Sequence, residues 1–207
     1  MSASHPPLVL GLAGGVASGK SAVAALLAGA EGRVLAADAL AHEVLDGPEV
    51  AARVAERFGP GVLGPDGRPD RAALGALVFE DDAARAALEG WIHPGVRARI
   101  LAELEDAARQ GCPVVVLDVP LLFENDAQHG LVARCDAVLF VESPSAEREA
   151  RAVAHRGWSP GEVARREAAQ LPLAEKRARC THVVHNGAGL DELEVEVARV
   201  LAELRGA

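Results

Sequence analysis

The order of apolar and polar positions divides the chain into two kinds of segment. Unbroken apolar runs, "LVLGLAG" (8–14), "PVVVLDVP" (113–120) and "DAVLFVES" (136–143), have the length and valine content of strands buried on both faces. Two weaker runs, "RVLAAD" ending at Asp38 and "THVVHNG" (181–187), predict two more strands. Between them the pattern turns helical. One helix begins at Ser21, and a mostly helical stretch from Leu40 to Gln110 is broken at "DGPEV", "FGPGVLGPDGRPD" and "HPGV". A charged helical stretch follows Pro144 as far as Arg179, and an amphipathic helix closes the chain from Leu190 to Leu204. Strands separated by helices imply right-handed crossovers, hence an α/β fold with a parallel sheet and ligand sites at the carboxyl ends of its strands. The region 40–110 holds no convincing buried strand and reads as an inserted helical lobe.

Composition narrows this picture. A chain of 207 residues supports one substantial core but not two ordinary linked domains. Aromatics at 3 %, with no tyrosine, leave Ala, Val and Leu to build the interior. The net charge of -9 argues against general binding of nucleic acid, which runs on clustered cations. Any phosphate site must therefore be local. Cys112, Cys135 and Cys180 are odd in number and far apart, which fits neither a disulfide framework nor a zinc pattern and predicts a reducing compartment. "MSASHPP" lacks a basic stretch leading into a long apolar one, and no segment approaches the roughly 18 apolar residues of a membrane span. A cytoplasmic protein without membrane partners is expected.

The chemistry lies at the junction of the first strand and first helix. Gly14-Gly15-Val16-Ala17-Ser18-Gly19-Lys20-Ser21 satisfies G-x-x-x-x-G-K-[ST]. Glycines let successive amides converge on an anion, and the following helix points its positive end at the same place. In such a loop the lysine reaches the β- and γ-phosphates and the hydroxyl of the last residue meets Mg²⁺. Those roles fall to Lys20 and Ser21. Lys20 and Lys176 are the only lysines, so cations elsewhere are written as arginine and an ammonium at position 20 looks specified. A glycine-rich turn that merely joins strand to helix is the plainer alternative. Asp118 ends a valine-rich strand, where it either supports Mg²⁺ or caps the turn before Pro120.

No guanine-reading N-K-x-D motif occurs, and the helical insertion together with the arginine-rich segment 145–180 suggests a small-molecule kinase with an acceptor lobe and a lid. Five blocks then carry a resemblance: "GLAGGVASGKS", "AADALAHEV", "DGRPDRAALGALVF" with "IHPGVR", "VVVLDVPLLFEN", and "AAQLPLAEKRARCTHVVHNGAGLDEL". The chain resembles the dephospho-CoA kinase family over nearly its whole length. The resemblance implies a P-loop kinase-like three-layer fold with a five-stranded parallel sheet. Its core would span about 7–38, 111–144 and 181–207, its substrate lobe about 39–110 and its lid about 145–180. It also implies ATP and Mg²⁺ as cofactors and phosphorylation of the ribose 3'-hydroxyl of dephospho-CoA, the last step of coenzyme A synthesis, by a monomer or weak homo-oligomer.

By the same resemblance Asp38 matches the last Asp of the family's D-A-D block and would accept the proton of the sugar hydroxyl. An N-cap for the helix near Leu40 is its structural alternative. His93 and Arg97 are placed near dephospho-CoA, although a lone histidine is more often structural. Leu121, Phe123 and Glu124 of "PLLFE" would help line the acceptor site, with packing as the alternative for the two apolar residues. On the nucleotide side stand Arg177 and Asn186. Between Ser145 and Cys180 eight cations face five glutamates. Arg151, Arg156 and Arg177 are the candidates for phosphate contact, since guanidiniums on a mobile segment can neutralise a transferring phosphoryl and exclude water. Glu147/Arg151 and Glu162/Arg166 also have the spacing of ordinary helical pairs.

Four positions depart from the family pattern. Ala36 replaces the first Asp of D-A-D, Ala17 a loop glycine, and His42 and His155 replace arginines. Ala17 is tolerable there if its φ is negative. Another P-loop kinase, such as one acting on a nucleoside monophosphate, and an ATP-binding regulatory module remain as alternative functions.

Overall fold

A computed structural model describes residues 6–206. The reading of "MSASHPP" as free of a targeting signal rests largely on residues 1–5, outside that range. The chain opens with β1 (Leu8–Gly14), α1 (Lys20–Ala28) and β2 (Arg33–Ala36), followed by α2 (Ala37–Leu45), α3 (Pro48–Phe58), α4 (Arg71–Glu80) and the long α5 (Asp82–Arg109). Next come β3 (Val114–Asp118), α6 (Asp126–His129) and β4 (Ala137–Glu142). Three helices, α7 (Ser145–Arg156), α8 (Glu162–Glu167) and α9 (Leu173–Ala178), precede β5 (His182–His185) and α10 (Leu190–Gly206).

These elements form two compact units, residues 37–103 and the rest. In the larger unit the strands make one five-stranded sheet of order β2-β3-β1-β4-β5, parallel throughout. Alternation along the strands sends Leu10, Leu12, Val114, Val116, Leu139, Val141 and Val184 to one face, where Val23 and Leu27 of α1 and Val197 and Val200 of α10 cover them. Each such fully buried Leu or Val contributes roughly 1.5–3 kcal/mol relative to exposure. The order puts β1 at the centre between β3 and β4, so the loop leaving β1 emerges where the strands' carboxyl ends converge. α5 ends in this unit, where Arg33 Nη1 holds Asp106 Oδ2 at 2.9 Å.

The smaller unit has its own aliphatic core of Leu45, Val50, Val54, Val62 and Leu74, closed by Phe58 and Trp91 with ring centroids 5.9 Å apart. Two expectations are corrected in the helical segments. "HPGV" does not interrupt the lobe: α5 runs through Pro94 for 28 residues. Proline removes one amide bond and crowds the carbonyl four residues back, but that residue is Gly90, and both positions are exposed, so the freed carbonyl is open to solvent. "RVLAAD" does not stay extended to Asp38: the strand stops at Ala36 and α2 starts at Ala37, which puts Asp38 in a helical first turn rather than at an N-cap. The stretch 145–179 divides into three helices, because Gly157 and Gly161 take positive φ and Pro172 precedes α9.

Candidate functional site

The loop between β1 and α1 closes around its own glycines. A Cβ on Gly14 would lie 2.7 Å from Val141 O, and one on Gly19 would lie 2.3 Å from Asn186 Nδ2. Gly19 also takes φ 88° as the N-cap of α1, and no side chain caps the helix, so its first amides stay directed into the loop. Ala17 has φ 59°, so the condition of a negative φ is not met, and an alanine occupies left-handed backbone at a cost of roughly 1–2 kcal/mol.

Among the described residues the buried polar and charged side chains are Ser18, Arg148, Lys176 and Asn186. Ser18 belongs to this loop, Arg148 and Asn186 bond to it, and Lys176 lies close enough to act on the charge of Lys20. Asn186, following β5, donates through Nδ2 to Ser18 O at 2.8 Å. Arg151 of α7 donates to Ser143 Oγ at 3.1 Å and to Asn186 O at 3.1 Å. It thus turns toward the loop instead of forming the expected helical pair with Glu147. Arg148 and Glu167 pair with each other and both meet Val16. The Ser18 hydroxyl is fully buried without a hydrogen-bond partner.

Lys20 lies on the inner side of the loop, its Nζ 3.0 Å from Gly15 O. Burial pushes its pKa below the usual lysine value; Asp118 opposes the shift, and Lys176 and Arg156 add to it. An ammonium desolvated among other cations is poised to gain from an anionic ligand. Next to it Ser21 Oγ donates to Asp118 Oδ2 at 2.8 Å. β3 places that carboxylate: it is the last strand residue, in register with Ala36 of β2. A hydroxyl and a carboxylate form a hard oxygen donor set that suits Mg²⁺, and the inward-facing amides with Lys20 suit a polyphosphate. The residues present therefore fit both groups.

The remaining positions fall around this centre or apart from it. Arg156 stacks on Trp158 with its guanidinium carbon 4.8 Å from the ring centroid, and Arg166 does so at 4.1 Å. Glu162 makes the expected pair with Arg166, at 2.7 Å, and a second with Arg165. Arg177 meets Glu142 at 3.2 Å, at the carboxyl end of β4, beside a cavity of about 260 Å³ lined by Gly15, Val141, Arg148 and Leu173. Phe123 is buried beneath Arg179, whose guanidinium carbon is 4.2 Å from the ring centroid, whereas Leu121 is more exposed and has φ 57°. Glu124 is engaged within the protein: it takes the Lys176 ammonium at 2.7 Å and the Leu171 amide at 3.2 Å.

Asp38, His42, His93 and Arg97 belong to the smaller unit. There α2 and α5 approach closely at Gly95, where a Cβ would lie 2.7 Å from Val44 Cγ1, and Arg99 reaches Glu43 at 3.3 Å. The helix carrying Asp38 and the turn carrying His93 and Arg97 are thereby neighbours. His155 closes α7, exposed. Sequence reasoning assigned no site role to Arg148, Glu167 or Lys176. For Lys176 a signal existed, its rarity as a lysine; for the other two, nothing in the spacing foretells a contact across more than 130 residues.

No described helix is long and apolar enough to cross a membrane. The dephospho-CoA kinase family model matches residues 8–192. A dephospho-CoA kinase of Anaeromyxobacter dehalogenans is 44 % identical over 199 residues, 96 % of this chain and 92 % of the relative. One of Symbiobacterium thermophilum is 43 % identical over 190 residues, 91 % of this chain and 78 % of the relative. A solved structure from Thermus thermophilus, 40 % identical, superposes with a TM-score of 0.75 over 97 % of this chain and 99 % of that one. The fold is also that of a Campylobacter jejuni dephospho-CoA kinase, at a TM-score of 0.69 and 22 % identity over 96 % and 98 % of the two chains. A phosphate loop at the centre of a five-stranded parallel sheet, a family match over most of the sequence and near-complete alignment with relatives above 40 % identity lead to one conclusion: the chain belongs to the dephospho-CoA kinase family.

Proposed function

We propose that this protein phosphorylates the ribose 3'-hydroxyl of dephospho-CoA with ATP, giving coenzyme A and ADP. The observation that carries the reading is the convergence, at one loop, of a desolvated Lys20, the uncapped first amides of α1 and a Ser21–Asp118 pair. Residues 14–21 hold the polyphosphate, and Lys20 neutralises the β- and γ-phosphoryl oxygens as charge develops on them. Ser21 and Asp118 would hold Mg²⁺, which when bound would supply electrostatic neutralisation of the phosphates.

In the transfer the 3'-oxygen bonds to the γ-phosphorus while the bond from that phosphorus to the bridging oxygen breaks, and ADP leaves with the electron pair. The hydroxyl proton passes to the Asp38 carboxylate. With Ala36 in place of a first aspartate, Asp38 is the carboxylate of that block able to take it. His93, Arg97, Leu121, Phe123 and Glu124 shape the acceptor side; Glu124 and Phe123 act from within, through Lys176 and Arg179. Segment 145–180 serves as the lid, with Arg151, Arg156 and Arg177 turned to the phosphates and Asn186 bracing the loop. Residues 39–110 serve as the substrate lobe. The three free thiols support work in the cytoplasm.

A coupled assay of ADP release with ATP, Mg²⁺ and dephospho-CoA tests the proposal. Turnover should appear with dephospho-CoA and fall by about 10²–10⁴ in Asp38→Asn, with ATP affinity nearly kept. Turnover of a nucleoside monophosphate with none of dephospho-CoA would replace the reading by a different kinase. An unchanged rate in Asp38→Asn would remove the base.

A further inference from the structure

Arg148 and Glu167 lie outside the loop motif, on α7 and at the end of α8. Their side chains nevertheless close on a single residue of the loop. The Val16 amide donates to Glu167 Oε1 at 2.8 Å, and Arg148 Nη1 donates to Val16 O at 3.3 Å. The same guanidinium pairs with the Glu167 carboxylate and donates through Nε to Ser143 O at 3.2 Å. Arg148 is 5 % exposed, so these partners take the place of water. Position 15 is shaped to admit them: a Cβ on Gly15 would lie 2.6 Å from Arg148 Nη1 and 2.7 Å from Glu167 Oε1.

This arrangement sets a carboxylate on an amide of the loop assigned above to a polyphosphate, close enough to Lys20 to act on its charge. Standing alone, such a charge would repel the ligand. Neutralised by Arg148, it instead completes a two-sided clip that occupies both the N–H and the C=O of Val16. The clip lies one residue ahead of Ala17, whose left-handed backbone needs its neighbours held.

We propose that Arg148 is a positioning residue of the kinase: it holds Glu167 on Val16 and cancels its charge, so the loop's neck is fixed without repelling the polyphosphate. The proposal rests on the reading of residues 14–21 as the ATP site. It gives Arg148 a role apart from the arginines proposed to touch phosphate, because it acts through Glu167 and the loop backbone.

The test is calorimetric titration with ATP and Mg²⁺, alongside steady-state kinetics, on wild type, Glu167→Gln, Arg148→Met and Arg148→Met/Glu167→Leu. Removing one partner of a buried pair leaves the other charge uncompensated. Arg148→Met should therefore bind ATP about ten- to a hundredfold more weakly, with KM for ATP rising more than kcat falls and the loss easing as salt is added. Deleting the stranded carboxylate as well should recover about tenfold over Arg148→Met. Glu167→Gln keeps an oxygen for the Val16 amide and leaves Arg148 unopposed, so at low salt its ATP affinity should rise about two- to fivefold.

A double variant no better than Arg148→Met, or a Glu167→Gln that binds more weakly than wild type, overturns the proposal. If Arg148→Met loses its cooperative melting transition, Glu167→Gln decides alone by the same criterion. Wild type that binds no ATP removes the nucleotide reading and this inference together; wild type that binds with the variant order reversed removes only the inference.

Discussion

Ala17 shows how a single methyl group bears on the loop. The position takes φ 59°, where an L side chain crowds the following carbonyl. Exchange for glycine removes that crowding and gives back part of the gain through the greater freedom of the unfolded chain. Ala17→Gly is therefore expected to stabilise the protein by about 0.5–1 kcal/mol, read as a rise of roughly one to three degrees in Tm. A fall in Tm would show that the loop prefers the methyl group in place. Lys20 makes the complementary point: burial works against its charge, and the nearby cations Lys176 and Arg156 deepen that effect. Its charge is a cost to folding that an anionic ligand would offset.

At the scale of elements, α5 unites two features that local propensity disfavours, Pro94 within its span and Gly95 beside it. Gly95 is required by close approach: a Cβ there meets the stiff Val44 side chain at 2.7 Å and 3.3 Å. Gly75 of α4 faces open space, with nothing within 4 Å of its Cβ position. The same substitution should thus have opposite signs at the two sites. Gly75→Ala is expected to stabilise by about 0.5–1 kcal/mol through helix propensity alone. Gly95→Ala gains the same propensity but forces α2 and α5 apart, for a net loss of about 1 kcal/mol. Urea unfolding of both variants checks the pair, and equal shifts would contradict the close packing.

For the whole molecule, alkaline pH is the condition that strains the fold. Burial pushes the Cys135 thiol up to about 12, with Asp136 and Asp126 adding to the shift. Cys180 is also pushed up to about 12 by burial, against a lowering from Arg179. Both folded values stand above the ordinary thiol value of 9.0, so the native state keeps protons that the unfolded state releases. The stability this gives is whole below pH 9 and is lost as pH rises from about 9 toward about 12. Unfolding measured across that window should show a decline that is shallower in Cys135→Ala and Cys180→Ala. In the native protein at pH 8 both thiols should alkylate far more slowly than in the unfolded chain.

The sequence alone determined the five strands, the parallel sheet, the phosphate loop with Lys20 and Ser21, and the family. Each is written in local pattern: valine-rich runs, glycine spacing, a hydroxyl after a lysine. The carboxylate behind Ser21 was legible only in part: Asp118 ends a strand, but local pattern left it between a place near Mg²⁺ and a cap of the turn before Pro120. Where local rules compete, the sequence misled: "HPGV" signals a break that an exposed Gly90 absorbs, and "RVLAAD" extends past the point where α2 begins. Only the tertiary structure decided which cations of the segment 145–180 meet the loop. Arg148 and Arg151 differ by three positions on one helix, yet one joins Glu167 at Val16 and the other joins Asn186. Those partners are more than a hundred residues from the loop or on separate elements. Their meeting depends on the strand order that sets β4 beside β1 and β5 beyond β4, a long-range arrangement that no spacing along the chain encodes.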